Sequence, residues 1–190
     1  MSPLRPPASD DDLSDDTEPA RGHAFLARSN EPDAAASELI ARLAELGWTV
    51  AIAESLTGGL VVASLVSVPG ASAQLRGGVV AYATDLKHAV LGVDTELLET
   101  NGPVHPEVAR QMADGVRRVL GHDGERADVG ISTTGVAGPD SPDGQPIGTV
   151  YIGVSTPLGT RVEALELSGD RAQIRAAAAT QALRLALDAL

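Results

Sequence analysis

Residues 47–59 read GWTVAIAESLTGG, and the fold turns on this stretch. Trp48 to Ala53 is a short apolar run held between Gly47 and the polar pair Glu54-Ser55. A run apolar at consecutive positions, rather than alternate ones, is the pattern of a strand covered on both faces, as in parallel sheets. Before it, Leu39, Ile40, Leu43 and Leu46 recur at helical spacing from Ala34, and Gly47 is placed to end that helix in a left-handed turn. After it, Gly58 to Val68 reads as a second helix, stopped by Pro69-Gly70. Helix, buried strand and helix in succession predict an α/β architecture.

Working outward, Val79 to Thr84 reads as a second strand, with Asp85 as the N-cap of a helix through Leu91. A short helix spans Thr95 to Thr100, and Pro106 suits the first turn of a helix to Leu120. Ala127 to Thr133 reads as a third strand, followed by a glycine-rich loop from Gly135 to Pro146. Ile147 to Thr156 and Arg161 to Leu167 alternate around Pro157-Leu158-Gly159, the pattern of an antiparallel hairpin. Asp170 starts a last, alanine-rich helix with Ile174, Leu183 and Leu187 as core contacts. The order of elements predicts a three-layer α/β/α sandwich with a mixed, mostly parallel sheet.

The remaining sequence, residues 1–33, differs in kind. It holds eight acidic residues against three arginines, with four prolines before residue 20 and no periodic apolar pattern. Such a segment buries too little surface to offset chain entropy, and it is expected to be a disordered acidic tail on a domain of residues 34–190. The whole chain of 190 residues carries a net charge of −12, which repels phosphate backbones and anionic lipid and argues against nucleic-acid or membrane partners. No run approaches a membrane span and the N-terminus has no apolar signal region, so a cytoplasmic location is expected. With no cysteine there is no disulfide, thiolate metal site or thiol nucleophile.

In open α/β sheets, ligands bind beyond the carboxyl ends of the strands, and three such ends carry chemistry. The first is Glu54-Ser55-Leu56-Thr57-Gly58-Gly59, a strand–turn–helix junction. Its serine sits at the turn, and the backbone N–H groups of Thr57, Gly58 and Gly59 open a helix whose positive end suits a substrate phosphate or a developing oxyanion. An ordinary tight turn with a hydroxyl cap fits the same residues. The segment is neither a Walker A loop nor a dinucleotide fingerprint. The second end holds Tyr82 and Lys87, and the third holds Thr134, Gly135 and Gly138 at the start of a loop of about twelve residues. Loops of that length in a compact domain are commonly functional.

Lys87 stands out because the other 13 basic residues are all arginine. Arginine keeps its proton in proteins, whereas a desolvated lysine can act as a base. Bringing a lysine from about 10.4 to about 7.5 takes roughly 4 kcal/mol of desolvation or neighbouring positive charge. Ser55, Lys87 and Tyr82 together form a known kind of activated nucleophile, in which a neutral lysine accepts the serine proton. The bland reading is that Tyr82 fills space and Lys87 is solvated. The histidines, His23, His88, His105 and His122, show no metal-ligand spacing, and no metal or cofactor is implied.

Several segments then match in order and spacing. AESLTGGLVVASLVSVPGAS, GGVVAYATDLKHAVLGV, GPVHPEVARQMADGVR, TTGVAGPDSPDGQPIGTVYIGV and the late SGDR together resemble the CinA C-terminal domain family. The resemblance covers residues 36–190. The enzymatic members of that family are nicotinamide-nucleotide amidohydrolases, and the resemblance implies hydrolysis of the carboxamide of nicotinamide mononucleotide to nicotinate mononucleotide and ammonia. The family's serine falls on Ser55, its tyrosine on Tyr82 and its lysine on Lys87. Leu56 departs from the small residue or cysteine common at that position. A homodimer is expected from the family's habit and from the apolar, alanine-rich last helix. Longer members carry an N-terminal domain that cleaves nucleotide pyrophosphates; only the acidic segment precedes the domain here, so that activity is not expected. A non-catalytic ligand- or partner-binding module remains the alternative, because the family name comes from competence and DNA-damage contexts.

Overall fold

The computed structural model describes residues 33–141 and 144–190. The segment expected to be a disordered tail lies outside these residues except for Asp33. That residue belongs to the domain: its side chain accepts from the Ala35 amide and caps α1 (Ala34–Leu46). The chain continues as β1 (Val50–Glu54), α2 (Leu60–Val66), β2 (Leu75–Val80), α3 (Thr84–Ala89), α4 (Thr95–Asn101), α5 (Pro106–Val119), β3 (Val129–Gly135), β4 (Thr149–Thr156), β5 (Gly159–Glu166) and α6 (Arg171–Leu187). The five strands form one mixed sheet in the order β2-β1-β3-β4-β5. β1 pairs in parallel with β2 and β3, and β4 pairs antiparallel with β3 and β5, so β4 alone runs against the other four.

The two-residue period of the strands divides the core into two layers. Val50 and Ile52 of β1, Val129 and Ile131 of β3, and Val150, Ile152 and Val154 of β4 pack with α1, α2 and α6. The intervening Ala51 and Ala53 meet Val108, Met112 and Val116 of α5, together with Leu91, Val93 and Leu98. On this second face the central strands carry small residues, Ala51, Ala53, Gly130, Ser132 and Gly153. A Cβ on Gly130 would lie 2.0 Å from the carbonyl of Ala113, and one on Gly153 would lie 2.5 Å from that of Ala109. Close approach of α5 to the sheet therefore requires glycine at both positions.

The order of elements matches the sequence reading, and several boundaries differ from it. The second strand was expected at Val79–Thr84 and lies at Leu75–Val80. Gly77 and Gly78 mask it, since glycine weakens a strand pattern. Packing reverses that preference, because a Cβ on Gly78 would fall 2.2 Å from Cγ2 of Val62 in α2. Tyr82 thus stands beyond the strand, in the connection to α3. The N-cap of α3 is Ala83, not Asp85, which lies in the first turn. β3 begins two residues later than Ala127 and takes in Thr134 and Gly135. Asp170 caps α6 as expected, in a reciprocal capping box with Gln173. Of the alanines of α6, Ala178, Ala179, Ala182 and Ala186 are buried in the core, whereas Ala172 and Ala176 remain exposed.

Candidate active site

At the end of β1 the alternation of side chains sends neighbouring residues to opposite faces. Val50, Ile52 and Glu54 face α2, whereas Ala51, Ala53 and then Ser55 face the α3 side. Ser55 is consequently delivered to Lys87, which comes from α3: Nζ lies 3.1 Å from Ser55 Oγ and donates to the carbonyl of Ala81 at 2.8 Å. Lys87 is 1% exposed and is among the largest fully buried side chains, so the solvated-lysine reading is excluded. The backbone of Ser55 is held from the other side by β3, its amide donating to the carbonyl of Thr133 at 3.0 Å.

Ser55 and Lys87 line a cavity of about 300 Å³, at the lower end of the size range of small-molecule sites. Its wall includes Tyr82, Thr134, Gly135 and Gly138 from the sequence reading, and also Leu56, Pro103, Val104, Asp140 and Arg171. Thr134 is fully buried and donates to the carbonyl of Pro103 at 2.7 Å, which ties β3 to the turn before α5. Tyr82 is at the rim, 61% exposed. Its hydroxyl accepts from Nη2 of Arg171 at 3.1 Å, while Nη1 of the same guanidinium donates to the carbonyl of Gly138 at 2.6 Å. Arg171 therefore spans the mouth, from the connection before α3 to the loop after β3.

Thr57, Gly58 and Gly59 do not line this cavity. The Gly58 amide donates to the carbonyl of Ser55 and the Gly59 amide to the carboxylate of Glu54, while Thr57 Oγ1 pairs with Thr133 Oγ1 at 2.8 Å. The open helix end expected from Gly58-Gly59 is already occupied by the protein's own acid. Sequence reasoning passed over Glu54 and Arg171. Glu54 carried a visible signal, an acid closing an otherwise apolar strand. Arg171 carried one as well, as the last residue of the SGDR segment that the family resemblance includes. Among the described residues, no group of three or more histidine, aspartate or glutamate side chains is placed to hold a metal ion, and no helix is long and apolar enough to cross a membrane.

A three-layer α/β/α fold with a buried serine–lysine pair at the carboxyl edge of its parallel strands defines the class of this protein. Residues 32–190 match the CinA C-terminal domain family, and the chain belongs to that family. A CinA-like protein from Frankia casuarinae is 48% identical over 143 residues, 75% of this chain and 32% of its own length. Another from Anaeromyxobacter sp. (strain K) is 48% identical over 149 residues, 77% of this chain and 35% of its own. The chain thus spans about a third of the length of these curated relatives. Among solved structures, the competence/damage inducible protein CihA from Agrobacterium tumefaciens matches with a TM-score of 0.75 at 33% identity, covering 81% of this chain and 92% of that one. A CinA superfamily protein from Escherichia coli matches at 0.78 with 30% identity, covering 87% and 94% respectively.

Proposed function

We propose that this protein is an amidohydrolase that converts nicotinamide mononucleotide to nicotinate mononucleotide and ammonia. The observation that carries the reading is the buried contact of 3.1 Å between Lys87 Nζ and Ser55 Oγ, inside a cavity open at one side. A serine hydroxyl is a weak nucleophile until a neighbouring base takes its proton. Burial strips an ammonium of its hydration and so favours the neutral amine that this role requires.

In the proposed cycle, Ser55 Oγ attacks the carboxamide carbon while its proton passes to Lys87 Nζ. The tetrahedral intermediate collapses as Lys87 returns the proton to the leaving nitrogen, releasing ammonia and leaving an acyl-serine ester. Water then attacks the ester, again giving a proton to Lys87, and the C–O bond to Ser55 breaks with reprotonation of Oγ. The oxyanion is stabilised by backbone donors. Those of Gly58 and Gly59 are engaged, so the role falls to the amide of Leu56, which lines the cavity and meets no acceptor among the described residues. The substrate's phosphate needs a local cation in a chain of net charge −12, and Arg171 at the cavity mouth supplies it. Tyr82, bonded to Arg171, acts at that same mouth, orienting the substrate above the Ser55–Lys87 pair.

The direct test is ammonia release from nicotinamide mononucleotide by the purified chain, with Ser55→Ala as control. Release by the native chain that Ser55→Ala abolishes is the expected result. Absence of release with every pyridine nucleotide tried would favour the binding-module alternative.

A further inference from the structure

Glu54 is 0% exposed, and its carboxylate is bonded entirely to backbone. Oε2 accepts from the amides of Gly59 at 2.8 Å and Val61 at 3.2 Å, and Oε1 accepts from that of Val62 at 2.9 Å. Three donors converging on one side chain need a group with two oxygens and no N–H of its own, and only a carboxylate meets that condition. A buried carboxylate is costly unless it is fully hydrogen-bonded, and here the positive end of α2 and its otherwise unpaired amides supply the compensation. The backbone of Glu54 works in the opposite direction. Its carbonyl accepts from the Ala81 amide at 2.8 Å, and the carbonyl of Ala81 in turn accepts from Lys87 Nζ at 2.8 Å. One residue therefore joins the helix that follows Ser55 to the segment that seats Lys87.

Resting on the amidohydrolase reading above, we infer that Glu54 is a positioning residue for the Ser55–Lys87 pair. Its carboxylate draws the start of α2 back onto the end of β1. The chain is thereby forced to turn sharply at Ser55, and Oγ is held against Nζ on the other face of the sheet. By filling the start of α2 it also denies that helix end to the substrate, so the substrate's anionic group has to sit on the Arg171 side of the cavity. Oxyanion and phosphate therefore do not compete for the amides of Gly59, Val61 and Val62, which Glu54 already holds.

The test uses the full chain and a small sulfonyl fluoride. Ser55 Oγ forms the S–O bond, fluoride leaves, and Lys87 takes the proton. The rate of labelling, read by mass spectrometry of the peptide containing Ser55, reports the geometry of the pair without any assumption about substrate. Glu54→Gln keeps size but turns an N–H₂ toward a backbone donor; it is expected to slow labelling by roughly tenfold to a hundredfold, the scale of a small misplacement of reacting groups. Glu54→Asp retains the carboxylate and should recover part of that rate. Asp128→Ala, a polar loss at the far end of the sheet, should lower the Tm at least as much and leave labelling within about twofold. Labelling of folded Glu54→Gln at the native rate, or equal slowing by Asp128→Ala, overturns the proposal. Should neither Glu54 variant fold, amide hydrogen exchange of the native chain decides: protection of Gly59, Val61 and Val62 supports the clamp, and free exchange at all three refutes it. A native chain whose Ser55 is not labelled at all would instead sink the nucleophile reading, leaving the clamp to the exchange measurement.

Discussion

Both ends of the sheet carry polar groups, and the two behave as opposites. At the amino end of β1 and β3, Asp128 Oδ2 accepts from the amide of Thr49 at 2.8 Å and from its hydroxyl at 2.9 Å. The Asp128 amide donates back to Thr49 Oγ1 at 3.2 Å. Nearby, Arg117 donates to the carbonyl of Ala127 and, from Nη1, to Ser155 Oγ and the carbonyl of Thr156. Burial pulls its guanidinium below the usual arginine range, with Asp114 opposing that effect, yet arginine remains charged under all ordinary conditions. At the carboxyl end, by contrast, Ser55, Lys87 and Thr134 are more deeply buried and border a cavity. The amino end spends its polar groups on one another and closes the fold. The carboxyl end keeps a serine and a lysine facing a space that a ligand can enter. Buried polarity alone therefore does not mark a functional site; buried polarity beside a void does.

The sharpest way to break this comparison is Lys87→Arg. Arginine preserves the charge and much of the length but cannot serve as a base. If the carboxyl end is catalytic, kcat for ammonia release should fall by 10²-fold or more, the usual worth of a positioned proton acceptor. Steady-state kinetics at saturating substrate provides the measurement. A change in KM alone, with kcat retained, would make Lys87 a mere counter-charge.

The opposite end predicts a different kind of loss. Asp128→Ala leaves the half-buried donors of Thr49 without their acceptor, which costs about 1 kcal/mol of stability, while kcat should stay within about twofold. Denaturant unfolding followed beside the activity assay checks both halves. A large drop in kcat at unchanged stability would abolish the division of labour between the two ends.

The smallest effect concerns acid. Glu107, in the first turn of α5, receives both Nε and Nη2 of Arg110, and this hydrogen bonding, partly offset by desolvation, holds its carboxyl below the ordinary carboxylate value. A group whose folded value is depressed stabilises the fold above its unfolded value and loses that contribution as pH falls through the folded one. Native protein should therefore lose this increment on acidification below about pH 4.5, the unfolded value, and Glu107→Gln should show a slightly flatter acid limb in urea unfolding across that range. The pair is well exposed, so the difference should be small. A steeper acid limb in the variant would reverse the assigned sign.

Much of this organisation is legible locally. The run from Trp48 to Ala53 announces a buried strand, Gly47 ends α1 at φ +66°, and Asp170 with Gln173 spells a capping box. Each is a pattern complete within a few residues, where helix and strand periods and caps are encoded. Ser55 and Lys87 were legible for a related reason: one lies at the end of such a strand, and the other is the only lysine in the chain. The first part of β2 was missed because Gly77 and Gly78 read as breakers, and only the weight of Val62 on Gly78 makes glycine the residue a strand needs there.

What the tertiary structure alone decided is where each donor is used. The sequence by itself determined the layer order, the strand ends that bear chemistry and the serine and lysine that meet across them. It carried no sign that Glu54 would consume the amides of Gly59, Val61 and Val62, or that Tyr82 would find Arg171 rather than a partner nearby in the chain. The physical reason is that periodicity and capping are properties of neighbouring residues, whereas a hydrogen bond between residues 89 positions apart exists only once the sheet has paired and its helices have settled against it.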